Sequence, residues 1–287
     1  MTTNRIWLIV AIVIALGMLA PTVRGEESEL DQRQPQGKPP TQAATQSSDP
    51  TLAAIGLLTG TASRCTAFLV GSDRVVVTAA HCVLDRDGKP SQARFAFRPG
   101  YRAGAHTPAF DAHVVVTGGW KPTGDPRLSV EPVADDWAIL ATDQPTGIAP
   151  LTLAGDLKLD QLRDRPLASV GYSVDVESGR FVTEDVPCRA THLQDFRIDH
   201  TCRGSLGAAG SPLFLLGPTD ARGALVGLVV QGAASSTAER LVIGQLMGLA
   251  DVRGIPAVDY GGRAVFGGAF VNAVKIAAAG AELSAMK

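Results

Sequence analysis

The stretch Cys65-Thr-Ala-Phe-Leu-Val-Gly-Ser-Asp-Arg-Val-Val-Val-Thr-Ala-Ala-His81-Cys82 decides how this chain is read. Two β-rich runs flank Gly71-Ser72-Asp73-Arg74, a turn sequence, so the stretch reads as a β-hairpin. A hairpin brings its two ends together, which allows Cys65 to bond with Cys82. That bond would pin His81 at the end of a strand. A pinned imidazole has what a general base needs: a fixed position, a fixed tautomer and a pKa near neutral.

Thr78-Ala-Ala-His81-Cys82, with its upstream cysteine, resembles the histidine motif of the trypsin-like (chymotrypsin-fold) serine proteases. Asp135-Asp136-Trp137-Ala-Ile-Leu140 is similar to the aspartate motif of that family, an acid opening an apolar strand. The resemblance gives Asp136 the role of accepting a hydrogen bond from the second ring nitrogen of His81 and stabilising the imidazolium. A plain strand-start acid is the competing reading. The third motif of the family is Gly-x-Ser-Gly-(Gly/Ser/Ala)-Pro. Its counterpart is Gly207-Ala208-Ala209-Gly210-Ser211-Pro212, where Ala209 stands in place of the serine.

A methyl group cannot attack a carbonyl. Removing the nucleophile from such a triad costs on the order of 10⁶ in kcat. The backbone N–H groups of Gly207 and Ala209, which the resemblance assigns to the oxyanion hole, do not depend on that side chain. Ser211 and Ser205 are the nearest hydroxyls, and both read more simply as turn serines. Ala208 replaces the acid that often pairs with a newly cut N-terminal amine. Ala54-Ile-Gly-Leu57 is the nearest approach to a matching N-terminus, so activation of that kind is not expected. The resemblance also implies a pocket floor near Arg203, which would favour acidic side chains, unless Arg203 turns to solvent. It implies a substrate-binding strand edge at Val230, Gln231 and Gly232, acting by β-strand addition.

The remaining cysteines are Cys188 and Cys202. Four cysteines allow three pairings. The local one, Cys65–Cys82 with Cys188–Cys202, closes two short loops worth roughly 3 kcal/mol each in the chain-entropy model. Zinc is the alternative use, but there is no CxxC pair and the histidines lack ligand spacing, so no metal and no cofactor are expected. His106, His113, His192 and His200 read as surface or strand histidines. Asp85-Arg-Asp87-Gly88 reads as a turn rather than a calcium loop.

Met1–Gly25 has the form of a secretory leader, with Arg5 before a fifteen-residue apolar run, Ile6–Ala20. That run is short of the roughly 20 residues that span a bilayer, so no stable membrane span is expected after leader removal. An uncleaved tether is the other reading. Residues 26–50 are rich in Gln, Pro, Ser and Thr and read as a disordered linker. The whole chain has 287 residues and a net charge of −2. Losing Arg5 and Arg24 with the leader makes it more acidic still. No basic run is present, which argues against a nucleic-acid partner.

Gly (31) and Pro (18) are frequent and aromatics make up only 5%, which favours many short strands joined by turns. Apolar runs recur at Ala67–Val70, Val75–Thr78, Arg94–Phe97, His113–Thr117, Trp137–Ala141, Leu167–Gly171, Arg180–Thr183, Leu213–Leu216, Ala224–Val230, Leu241–Leu246 and Ala264–Ala269. Val271–Met286 suits a C-terminal helix. The resemblance covers roughly residues 52 to 283. It implies an all-β fold of two six-stranded antiparallel barrels, the first over about 51–155 and the second over about 165–270. The function expected is that of an exported, secreted or periplasmic protein that binds a peptide or protein ligand in its cleft without cutting it. The alternative is a serine endopeptidase whose recorded sequence carries a Ser→Ala change at 209.

Overall fold

The computed structural model describes residues 42–43, 49–61, 63–121, 133–154, 156–174, 176–217, 222–232 and 262–285. The expected leader, most of the expected linker and the expected strand Leu241–Leu246 lie outside these residues.

The first barrel is built from Ile55–Thr59 (β2), Arg64–Leu69 (β3), Val75–Thr78 (β4), Phe95–Pro99 (β5), Phe110–Thr117 (β6) and Ala138–Thr142 (β7). They close antiparallel in the order β2-β3-β4-β7-β6-β5. The β3–β4 hairpin turns at Gly71, whose φ of +71° suits glycine, and Phe68 pairs with Val77 across it. The four residues of β4 are all buried. Such a strand reads as a continuous apolar run rather than an alternating one.

The second barrel uses Pro166–Gly171 (β8), Thr183–Gln194 (β9), Arg197–His200 (β10), Pro212–Leu216 (β11), Arg222–Gln231 (β12) and Gly262–Phe266 (β13). The order β9-β10-β13-β12-β11-β8 is closed by pairing of β8 with β9. Gln42–Ala43 (β1), inside the stretch read as a linker, pairs with Glu184 and Thr183 on β9. Val271–Ala285 (α1) is the C-terminal helix, and Val274 buries against the first barrel's core. The barrels join through 143–165, where Leu151 bridges to Val70 and Leu153 to Leu225.

Three details differ from the sequence reading. The run Arg180–Thr183 is not a strand of its own, because β9 begins only at Thr183. β2 and β10 did not emerge from the apolar pattern at all. β10 alternates buried and half-buried positions over just four residues. β9 is long and largely polar, held by partners on both sides.

Candidate active site

His81 sits in a 3₁₀ turn, Ala80–Cys82, that follows β4 directly. Asp136 lies between a 3₁₀ turn at Val133–Asp135 and β7, the neighbour of β4. Adjacent strands therefore deliver the two side chains to the same end of the barrel. Nδ1 of His81 is 2.7 Å from Oδ2 of Asp136, and the His81 backbone N–H donates to Oδ1 at 3.0 Å. One buried carboxylate thus grips both the ring and the main chain of the histidine. An ionised carboxylate only accepts, so Nδ1 carries the ring proton and Nε2 is the basic position. Of the two neighbouring acids, Asp136 is the one that makes this bond.

Trp120 packs near the imidazole, its ring centroid 6.1 Å away and tilted by 55°. Gly118 makes that possible. A Cβ there would overlap Asp135 O and the Trp137 indole, so only glycine lets this backbone run against the Asp136 turn. Trp120, two residues beyond Gly118, is a neighbour of the site that no sequence motif marks.

Disulfides join Cys65 to Cys82 and Cys188 to Cys202, the local pairing. All four sulfurs are therefore committed, and the clusters Cys65/His81/Cys82 and Asp185/Cys188/Cys202 offer no thiolate to a metal. The Asp85 turn closes on itself, its Oδ1 accepting from the N–H groups of Asp87 and Lys89. His113 pairs with Asp143 on the surface, and His200 is buried and accepts from Cys202 N–H.

Thr66 connects the histidine to the 207–212 loop. Its N–H donates to Ala209 O (2.8 Å) and its Oγ1 donates to Gly207 O (2.7 Å). The same Oγ1 accepts from Tyr172 N–H (2.9 Å), while Thr66 O accepts from Thr78 Oγ1 (2.7 Å). Ala209 is thus tied to Thr66, Thr66 is next to Cys65, and Cys65 is bonded to Cys82 beside His81. Nothing in the sequence marks Thr66 for this role, because a β-branched residue is ordinary in a strand.

The loop itself is shaped by glycines. Gly207 has φ +91° and Gly210 φ +84°, where a side chain is strained. A Cβ on Gly210 would overlap Thr66 O, and one on Gly207 would overlap Tyr172 O. Neither Gly207 N–H nor Ala209 N–H donates to an acceptor among the described residues. Ser211 is buried, its side chain against Gly171. Ser205 N–H donates to Ser173 Oγ at 2.7 Å, and the two serine hydroxyls lie 3.2 Å apart.

Val230 and Gln231 end β12, and Gly232 follows. Pairing with β11 runs only as far as Leu228, beyond which Val229 bonds to the 210–211 backbone. Arg203 is half-buried, and its N–H donates to the buried carboxylate of Asp185 at 2.8 Å.

Residues 65–228 match the family model of the trypsin-like peptidase domain, and the chain belongs to that family. The fold is similar to that of a thermostable serine protease, AL20, from an extremophilic microorganism (17% identity, 78% of this chain and 96% of that chain, TM-score 0.54). It is also similar to the protease Anisep from Arthrobacter nicotinovorans (16%, 81% and 98%, TM-score 0.56). A Glu endopeptidase matches at 18% identity over 79% of this chain and 91% of that one, with a TM-score of 0.53. At these identities the likeness concerns the fold. No curated protein sequence matches the chain. Among the described residues no helix is long and apolar enough to cross a membrane.

Proposed function

We propose that this chain is a trypsin-fold protein that holds an extended peptide segment in its cleft and does not cut it. The observation that carries this is Ala209 itself, fastened through Thr66 beside an intact His81–Asp136 pair. His81 and Asp136 are the base and its orienter, and Gly207 and Ala209 supply oxyanion donors. A peptide carbonyl seated there would meet those donors and the base but no attacking oxygen. Val230, Gln231 and Gly232 offer the main-chain edge for β-strand addition. The two disulfides fit a compartment outside the reducing cytosol, in keeping with an exported protein.

The preserved His81–Asp136 geometry favours a second reading, a serine endopeptidase whose natural residue 209 is serine. The two readings differ in one atom, so one experiment separates binding from cutting. The chain beginning at Glu26 is mixed with fluorescein-labelled casein peptides. Fluorescence anisotropy reports binding and mass spectrometry reports fragments. Saturable binding with no new fragments supports the proposal. Fragments from the unchanged chain, or no binding at all, would sink it.

A further inference from the structure

Beside Ala209, the backbones of Gly204 and Gly232 touch. A Cβ built on Gly204 lies 3.7 Å from Gly232 Cα, and one built on Gly232 lies 2.6 Å from both the Cα and the carbonyl carbon of Gly204. On its other side, a Gly204 Cβ would come within 2.8 Å of Ala208 Cβ. Carbon atoms pack at about 3.5–4.0 Å, so a side chain inserted between two backbones needs them roughly 7–8 Å apart. No such gap exists between the 203–206 wall and the end of β12.

Both walls are fixed from behind. Arg203 N–H is held by Asp185, Ser205 N–H by Ser173, and Leu206 O by Val174 N–H at 2.8 Å. Asp185 and Ser173 are each 2% exposed, so these anchors sit in the barrel wall and not in solvent. Opposite them, Gln231 is in register with Arg263 on β13. The 203–206 wall cannot retreat without breaking hydrogen bonds to the buried Asp185 and Ser173, which cost more to strand than to keep, and the end of β12 is held by its pairing with β13.

We infer that the side-chain slot next to Ala209 is closed, and that the cleft takes extended peptides with glycine, or at most alanine, at the residue facing Ala209. This rests on the cleft reading proposed above. It removes the acidic preference that an open pocket floored by Arg203 would give. Ligand recognition then falls to the main-chain edge of β12.

The test uses the Ala209→Ser chain with succinyl-Ala-Ala-Xaa diphenyl phosphonates, where Xaa carries the glycine, alanine, phenylalanine, lysine or glutamate side chain. The introduced hydroxyl oxygen bonds phosphorus, phenoxide leaves, and His81 takes the hydroxyl proton. A small alkyl fluorophosphonate, which needs no side-chain slot, runs in parallel. The expected result is labelling by the glycine and alanine probes at least roughly tenfold faster than by the other three. Fluorophosphonate labelling together with faster reaction of the phenylalanine, lysine or glutamate probe overturns the inference and leaves the cleft reading standing. No labelling by any probe overturns the cleft reading and the inference with it. A crystal structure of the unchanged chain gives an arm independent of reactivity. Gly204 against Gly232 supports closure, and a slot about 7 Å wide between them overturns it.

Discussion

Replacing Thr66 with valine keeps the shape of a fully buried side chain and removes its hydroxyl. Two backbone groups lose their partner at once: the Gly207 carbonyl, which accepts from Oγ1, and the Tyr172 N–H, which donates to it. Both residues are buried. Leaving a buried polar group unsatisfied costs about 1–3 kcal/mol, so the pair amounts to about 2–6 kcal/mol. In a domain of this size each kcal/mol moves Tm by about 2–4 °C, giving a drop of roughly 4–24 °C. Thr66→Ser keeps the oxygen and gives up only a methyl, so its loss falls well short of the valine variant's. Scanning calorimetry of the parent, Thr66→Val and Thr66→Ser chains makes the comparison. In an Ala209→Ser background, Thr66→Val also slows fluorophosphonate labelling, because the same hydroxyl positions the 207–212 loop. A Thr66→Val Tm within about 2 °C of the parent refutes the assignment of Thr66 as the tie between the barrels.

Three further outcomes follow from the same geometry. With serine restored at 209, Asp136→Asn lowers the probe-labelling rate by roughly 10⁴, because the amide no longer fixes the ring tautomer; an unchanged rate excludes Asp136 as the orienter of His81. Converting both Cys65 and Cys82 to alanine opens a loop of sequence separation 17 and lowers stability by about 3 kcal/mol in urea unfolding. Arg222 joins Asp49 to Glu184 with its side chain 9% exposed. Arg222→Ala, which takes the shared cation from two part-buried carboxylates, costs about 1–3 kcal/mol at pH 7 by the same assay.

The Asp49 contact also fixes a pH dependence. Burial acts to raise the Asp49 carboxyl, but hydrogen bonds from Thr51 and the Arg222 guanidinium outweigh it and hold the group below its ordinary value. A lowered carboxyl stabilises the fold fully above its unfolded pKa of about 4 and loses that contribution as pH falls through the folded value. Asp49→Asn is therefore destabilised at pH 7, and its deficit against the parent shrinks below about pH 4. A deficit independent of pH would assign the effect to packing instead.

The first barrel, β2 apart, was legible because its evidence is local. Val75–Thr78 is an unbroken apolar run, glycine marks the hairpin turn, and the cysteines frame the histidine within eighteen consecutive residues. The second barrel was harder to read for equally physical reasons. The β9–β10 hairpin turns at Asp195 and Phe196, both at positive φ, so neither glycine nor proline announces it. β9 carries Glu184, Asp185 and Arg189, whose charges hide the alternation that marks a half-buried strand. The polar links at the site were invisible for another reason. Thr66 looks like any β-branched strand residue until the fold brings Gly207, 141 positions away, to its hydroxyl. The Arg222 pairing with Asp49 spans 173 positions. Motifs report the groups that do chemistry, whereas their supports come from contacts that only the closed fold creates.

The missing hydroxyl at 209 is best tested by fluorophosphonate labelling of two chains, each beginning at Glu26: one unchanged and one with Ala209→Ser. The probe bonds only a serine activated by its base and oxyanion donors. The unchanged chain should stay unlabelled, and Ala209→Ser should label at a single site, residue 209, with the bond lost when His81 is changed to alanine. Labelling of the unchanged chain would place the nucleophile elsewhere and contradict the reading of Ala209. Silence from a folded Ala209→Ser chain would contradict the claim that the rest of the site is assembled.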